Sequence, residues 1–125
     1  MCYGDPKSID KKAAWSDSSR CICGKYLPLS KQLLEVPISG RATHSCVQIE
    51  FTCRQCAKRF VRTYDLTQAG KRGRTGLYRC AMKLKECGET IDTYNSIETD
   101  FGRMSSNYKQ YDCKSWAKNF YELIR

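Results

Sequence analysis

The chain is poor in histidine and in long apolar runs. It has one histidine, His44, among 125 residues, so any imidazole chemistry must use that residue. No apolar run approaches the roughly 20 residues that span a bilayer, and residues 1–8 show no apolar core of a secretory leader. These absences argue against membrane spanning and against most His-dependent catalysis. They leave localisation open, because a secreted protein without its leader looks the same.

Large aliphatic residues are also scarce. Hydrophobic residues make up 41% of the chain, but this fraction depends on nine Cys and eight Tyr, while Val, Ile and Leu are scattered. Small domains with so thin an aliphatic core usually depend on disulfides or on a structural metal. The cysteines are therefore the main architectural signal, and the charged fraction of 28% is ordinary for a globular domain.

The net charge of +9 is unevenly distributed, with its excess in residues 21–75. A basic block of this kind fits nucleic acid, an acidic protein surface, or a solvated face that keeps a small protein soluble. The glycine-punctuated stretch 70–76 lacks the residue order of a P-loop, and a basic hairpin tip is the favoured interpretation. The candidate nucleic-acid contacts are Arg54, Lys58, Arg59, Arg62, Lys71, Arg72 and Arg74.

The residue pattern predicts a small, β-rich α+β fold. We expect a flexible arm over residues 1–20 and a single domain over 21–125, or alternatively two small units over 21–68 and 76–125. Period-two alternation predicts a strand over 46–53 and a second over 59–66. A loop over 69–76 and a third strand over 77–85 would complete an antiparallel meander.

The sequence predicts two helices. A short one is predicted over residues 29–36, stopped by Pro37. After Cys87 the chain is rich in turn residues until an amphipathic C-terminal helix, capped by Asp112, with Cys113 on its apolar face. That face should point into the core.

The spacing of the cysteines favours metal binding over disulfide bonds. Cys53 and Cys56 form a Cys-x-x-Cys pair and Cys21 and Cys23 a Cys-x-Cys pair, and together they can supply a four-thiolate zinc site. Neighbours this close form strained rings when oxidised. A second metal site would draw on the remaining candidates, which are His44, Cys46, Cys80, Cys87 and Cys113.

Disulfides remain the alternative. Apart from Cys2 in the arm, eight cysteines can form up to four bridges, and no pairing follows from the sequence. Cys46 and Cys53 lie on opposite faces of one predicted strand and should not bond to each other. A mixed arrangement of metal and disulfide is also open.

Two resemblances follow from these residues. The segment 52–60 (TCRQCAKRF) resembles the first half of a two-cysteine, two-histidine zinc finger, but the histidine half is absent, which excludes a standard DNA-reading finger. In length, cysteine load and lack of an enzyme signature, the chain resembles small cysteine-rich effectors secreted by plant-pathogenic fungi, including zinc-binding avirulence effectors of rusts. That resemblance implies secretion, action inside a host cell, and a host protein or immune receptor as partner.

The expected function is therefore a non-enzymatic binding or effector module stabilised by structural zinc. One alternative is a nucleic-acid-binding module that uses the basic 54–74 region, and another is a disulfide-stapled extracellular protein or toxin. An enzyme is not expected, since His44 with Cys46 or with Glu50 is the main set from which acid–base or nucleophilic chemistry could be built. No membrane partner or small-molecule substrate is indicated.

Overall fold

A computed structural model of the chain describes residues 15–16, 20–39, 42–107 and 112–125. No helix within these residues has the length and apolar character needed to cross a membrane. Most of the predicted arm, residues 1–20, lies outside the described residues. In chain order the elements are β1 (Trp15–Ser16), β2 (Tyr26–Ser39), β3 (Ala42–Cys53), β4 (Arg59–Thr67), β5 (Gly70–Thr75), β6 (Leu77–Tyr78), β7 (Lys83–Gly88), α1 (Tyr94–Arg103) and α2 (Cys113–Leu123).

Five of the strands form one antiparallel sheet in the order β5-β4-β3-β2-β7. Strands β2 to β5 follow one another as a meander, and β7 returns to pair with the free side of β2. The short strands β1 and β6 pair separately. The fold is thus α+β and β-rich, with an antiparallel meander and a C-terminal helix, as the residue pattern predicts.

The alternation along β3 places a hydrophobic face under the helices. Val47, Ile49 and Phe51 are fully buried, and they pack with side chains of β4 and of both helices. Aromatic rings make up much of this main core. Phe51 stacks on Phe60, with the ring centroids 5.3 Å apart. The buried members of the main core are Leu33, Val47, Ile49, Phe51, Phe60, Tyr64, Leu66, Ile97, Trp116, Ala117, Phe120, Tyr121 and Ile124.

A smaller core lies on the other face of the sheet. Leu34, Val36, Cys46 and Tyr78 are buried there, with Cys80 and Met82 packed against them. Because both faces of the sheet are partly covered, apolar side chains occur at consecutive positions of the inner strands. Cys46 therefore belongs to the smaller core, whereas Cys53 lies on the helix-covered face.

The predicted helix over 29–36 is wrong, because this segment is the middle of β2. Leu33 faces the main core, and Leu34 and Val36 face the smaller one. Burial on both faces removes the simple alternation of a half-exposed strand, and the remaining pattern resembles a short helix.

The basic stretch 69–76 and the predicted third strand also differ from expectation. Residues 70–75 form the edge strand β5, paired with β4 from Thr67↔Gly70 to Arg62↔Thr75. The predicted strand over 77–85 is divided: Leu77–Tyr78 pairs with Trp15–Ser16, and Lys83–Gly88 pairs with β2. The glycines and cations of β5 belong to a ladder rather than to a hairpin tip.

The turn-rich region after Cys87 contains a helix that the sequence pattern missed. Thr93 caps α1 by accepting a hydrogen bond from the backbone N–H of Ser96 at 3.0 Å. Gly102 and Asn95 are weak helix formers, and Ile97 is the one residue of α1 that is fully buried. A helix with so narrow an apolar face shows little periodicity in its sequence.

The predicted C-terminal helix is confirmed. The Asp112 carboxylate accepts a hydrogen bond from the N–H of Ser115 at 2.7 Å, and Cys113, Trp116 and Phe120 are buried. Trp116 also donates its indole N–H to the carbonyl of Ser105 at 2.8 Å. The indole nitrogen therefore has a partner although the ring lies in the core.

Candidate metal centre and its surroundings

The β2–β3 hairpin brings the two close cysteine pairs together. Tyr26, the first residue of β2, is directly opposite Cys53, the last residue of β3. Residues 21–23 therefore precede the open end of the hairpin, and residues 54–56 follow it. The backbone N–H of Arg54 donates to the carbonyl of Lys25 at 2.7 Å and joins the two segments beyond the last strand pair.

Cys21, Cys23, Cys53 and Cys56 converge at this end. All four sulfur atoms lie within 4.8 Å of one another. A tetrahedral zinc–thiolate site with Zn–S bonds of about 2.3 Å has sulfur atoms about 3.8 Å apart. The four sulfurs need to approach one another only slightly to hold a metal ion. This is the four-thiolate set that the Cys-x-Cys and Cys-x-x-Cys spacings predict.

Each cysteine pair is followed by a residue in the left-handed region. Gly24 follows Cys23 with φ of 75°, and Ala57 follows Cys56 with φ of 61°. Such a residue turns the chain sharply after each cysteine pair. Cys53 Sγ lies 3.4 Å from the backbone N of Gln55 and 3.5 Å from that of Cys56. We refer to Cys21, Cys23, Cys53 and Cys56, with the turns that follow each pair, as the metal knuckle, because their arrangement is compatible with a bound metal ion.

The thiols of this cluster differ in how readily they ionise. The hydrogen bond from the backbone N–H of Cys56 is the main cause that lowers the pKa of Cys53 to about 6. A hydrogen bond with the neighbouring Cys21 thiol is the main cause that raises the pKa of Cys23 to about 12. The thiolate form is thus favoured at Cys53 and disfavoured at Cys23. A divalent ion would remove that difference.

The second predicted metal site does not form among the residues that the structure describes. Within them, one group of three or more His, Cys, Asp or Glu has ligand atoms this close together, and it is the four-cysteine group. Cys46 is fully buried in the smaller core, Cys80 is half-buried at its rim, and Cys87 is exposed on β7. Cys113 is buried and disulfide-bonded, and it is not part of a metal-ligand group among the described residues.

His44 has a different role from the predicted metal ligation. Its Nε2 lies 2.8 Å from Asp65 Oδ2, and the two side chains are almost completely buried. The Tyr78 hydroxyl donates to the same carboxylate oxygen at 2.7 Å, and Arg74 lies 3.3 Å from it. Burial opposes ionisation of Asp65, but the contacts with His44 and the charge of Arg74 outweigh it and hold the pKa of Asp65 below its ordinary value.

This buried network also bears on the catalytic candidates. His44 and Glu50 lie on the same strand six residues apart, which is about 20 Å along an extended chain. They cannot act on one substrate bond together. The imidazole is instead enclosed with Asp65 beneath the sheet, where it satisfies a buried carboxylate.

The predicted nucleic-acid contacts divide into two groups. Arg62 pairs with Glu98 at 2.9 Å, Arg74 contacts Asp65, and Lys71 donates to three carbonyls at the end of α1. Arg72 is half-buried on β5. The other group is exposed and lies beside the metal knuckle. It consists of Arg54, Lys58 and Arg59, of which Arg59 lies 3.6 Å from the Glu50 carboxylate.

A groove adjoins the knuckle on the side of α1. Its volume is about 740 Å³, within the usual range of roughly 300–1,000 Å³ for ligand sites. The sequence pattern missed this groove because its two walls are almost 70 residues apart in the chain. The lining residues are Gly24, Lys25, Tyr26, Leu27, Arg54, Gln55, Thr93, Tyr94 and Asn95.

Comparisons with other proteins leave the function to be argued from this geometry. No family model, no curated protein and no solved structure matches the chain.

Proposed function

We propose that the protein is a non-enzymatic binding domain whose four clustered cysteines hold one structural zinc ion. The observation that carries the proposal is the convergence of the Cys21, Cys23, Cys53 and Cys56 sulfurs within 4.8 Å of one another. Thiolates in a tetrahedral set favour zinc over the hard cations, which prefer oxygen ligands.

The site is structural rather than catalytic because its ligand set is complete. Four protein thiolates fill the tetrahedral positions of zinc, whereas catalytic zinc sites keep one position for water or substrate. The centre also ties two distant segments at the end of the long hairpin. Its effect is to fix the surface loops around Lys25 and Arg54 in one arrangement, which is what a binding surface needs.

Intact-mass spectrometry under native and denaturing conditions tests the zinc site. We expect one zinc ion per chain in the native spectrum, lost when the protein is denatured. Oxidation of the four cysteines to two disulfides would instead leave no metal and remove four hydrogen atoms. That result would refute the metal centre and favour the disulfide alternative.

Matched serine variants locate the ion. Cys56→Ser removes a ligand at an exposed position of the cluster, and Cys87→Ser removes an exposed thiol outside it. We expect the first variant to lose zinc at least about tenfold more readily to a chelator, since a ligand contributes several kcal/mol to binding. The second should bind zinc like the unaltered protein. Equal zinc retention in both variants would contradict the assignment.

The effector class remains a separate prediction. Secretion, action inside a host cell and a host protein partner rest on the sequence resemblance. Co-purification of the metal-loaded protein with a defined host receptor, lost on substitution of exposed surface residues, would support them.

A further inference from the structure

We propose that the groove between the metal knuckle and the start of α1 binds single-stranded nucleic acid. This inference gives the proposed binding domain its ligand class. The inference depends on the shape of the groove and on the charge of its walls. It does not depend on which metal ion the cysteines bind.

Cations surround the groove on both sides. Lys25 and Arg54 line it and are exposed, and the hydrogen bond between their backbones fixes their separation. Arg20 is held at the opposite wall, where its Nη1 donates to the Tyr94 hydroxyl at 2.6 Å. None of the described lining residues is Asp or Glu. An anionic ligand therefore meets positive groups at both walls of the groove.

Other lining groups suit the bases and sugars of a nucleic acid. The side-chain amides of Gln55 and Asn95 each offer a donor and an acceptor, which is the combination that base edges present. The half-buried rings of Tyr26 and Tyr94 form part of the wall, and Tyr26 packs edge-on against Tyr94 with centroids 4.9 Å apart. Aromatic walls beside cations are the usual elements of single-strand recognition.

The positive surface continues beyond the groove, which favours an extended polyanion. Lys58 and Arg59 follow the knuckle on the exposed end of the molecule. An acidic peptide would use the cations but brings no planar bases to the Tyr26 and Tyr94 rings of the wall. A phosphodiester strand with exposed bases uses both.

Fluorescence anisotropy with a labelled single-stranded RNA of about 12 nucleotides tests the inference, because single-strand site sizes run from about 4 to 16 nucleotides. Titrations of the metal-loaded protein at about 50 and 200 mM salt give the number of phosphate contacts. A DNA strand of the same sequence and an RNA duplex provide the comparison ligands. We expect both single strands to bind more tightly than the duplex.

Two double variants with the same change in charge separate the groove from the general positive field. Lys25→Gln with Arg54→Gln removes two exposed cations from the groove, and Arg79→Gln with Lys83→Gln removes two exposed cations elsewhere. The groove variant should bind at least about tenfold more weakly, with a salt slope smaller by about two. The control variant should stay within about twofold.

Several outcomes would overturn the groove as a nucleic-acid site. These are an equal loss of affinity in both double variants, tighter binding to the duplex, and displacement of RNA by polyglutamate at the same concentration of charge. The variants should fold, since the contact recorded for Arg54 within the hairpin uses its backbone N–H. A zinc-loaded protein that ignores RNA would refute this inference alone, and an RNA-binding protein without zinc would refute the proposed metal centre alone.

Discussion

Lys71 should stabilise the fold through the end of helix α1. Its ammonium donates hydrogen bonds to the carbonyl oxygens of Phe101 at 3.0 Å, Gly102 at 2.7 Å and Met104 at 2.9 Å. The last carbonyls of a helix have no partner within it, and a cation there is favoured by the helix dipole. The same ammonium lies 5.1 Å from the centroid of the Phe101 ring. Lys71→Met removes these interactions and keeps the length of the side chain.

The magnitude follows from the number of bonds. Three hydrogen bonds at about 1 kcal/mol each give about 3 kcal/mol, and ordering the lysine side chain costs about 1 kcal/mol of that. We therefore expect Lys71→Met to lower the free energy of unfolding by about 2 kcal/mol.

Urea denaturation of the metal-loaded protein measures this difference. Lys83→Met is the matched control, because it removes the same charge from an exposed position on edge strand β7. The control should change the free energy of unfolding by less than about 0.5 kcal/mol. If the two variants lose the same stability, Lys71 does not secure the helix end, and its charge is free to serve another role.

Three further substitutions have defined expectations. Ala57→Gly should stabilise the metal-loaded protein by about 0.5 kcal/mol, since a left-handed alanine costs about 1–2 kcal/mol and glycine about 0.5–1 kcal/mol of chain entropy; a lower melting temperature would contradict this. Asp112→Ala should cost about 1 kcal/mol at neutral pH. Because a backbone hydrogen bond lowers the pKa of Asp112, that stability is present above about pH 4 and lost at lower pH, and a difference from the unaltered protein that persists at about pH 2 would refute it. Asp65→Asn removes the buried charge that faces His44 and Arg74 and should cost about 3 kcal/mol in urea denaturation; a loss below about 1 kcal/mol would show that the network adds little.

Strands in which large apolar residues alternate with polar ones could be predicted from the sequence. In β3 the alternation of Val47, Ile49 and Phe51 with polar neighbours marks the covered face directly. Strand β2 could not be recognised in the same way, because Leu33 and Leu34 enter different cores. The two faces of β2 cannot be told apart from local sequence, because the second face is covered by Tyr78 of β6 and by Cys80 and Met82 of the following loop.

The four-cysteine cluster could be predicted because its members come in close pairs. A spacing of one or two residues is itself the signal for a chelating turn. The sequence did not predict the contact between His44 and Asp65, because Asp65 lies 21 residues away. Nothing in its local sequence distinguishes Asp65 from other strand residues. The groove could not be predicted for a related reason. Lys25 and Thr93 are distant in the chain and line the same groove only when α1 packs against the sheet.

The pairing of Tyr26 with Cys53 has a consequence for the order of folding. The hairpin of β2 and β3 closes from its turn toward its open end, so the cysteines meet only after about a dozen residue pairs have formed. An ion that binds only once the four cysteines have met would slow unfolding, and a chelator would then leave the refolding rate unchanged. The thiolate clasp would thus govern how long the native molecule persists rather than how quickly it is reached.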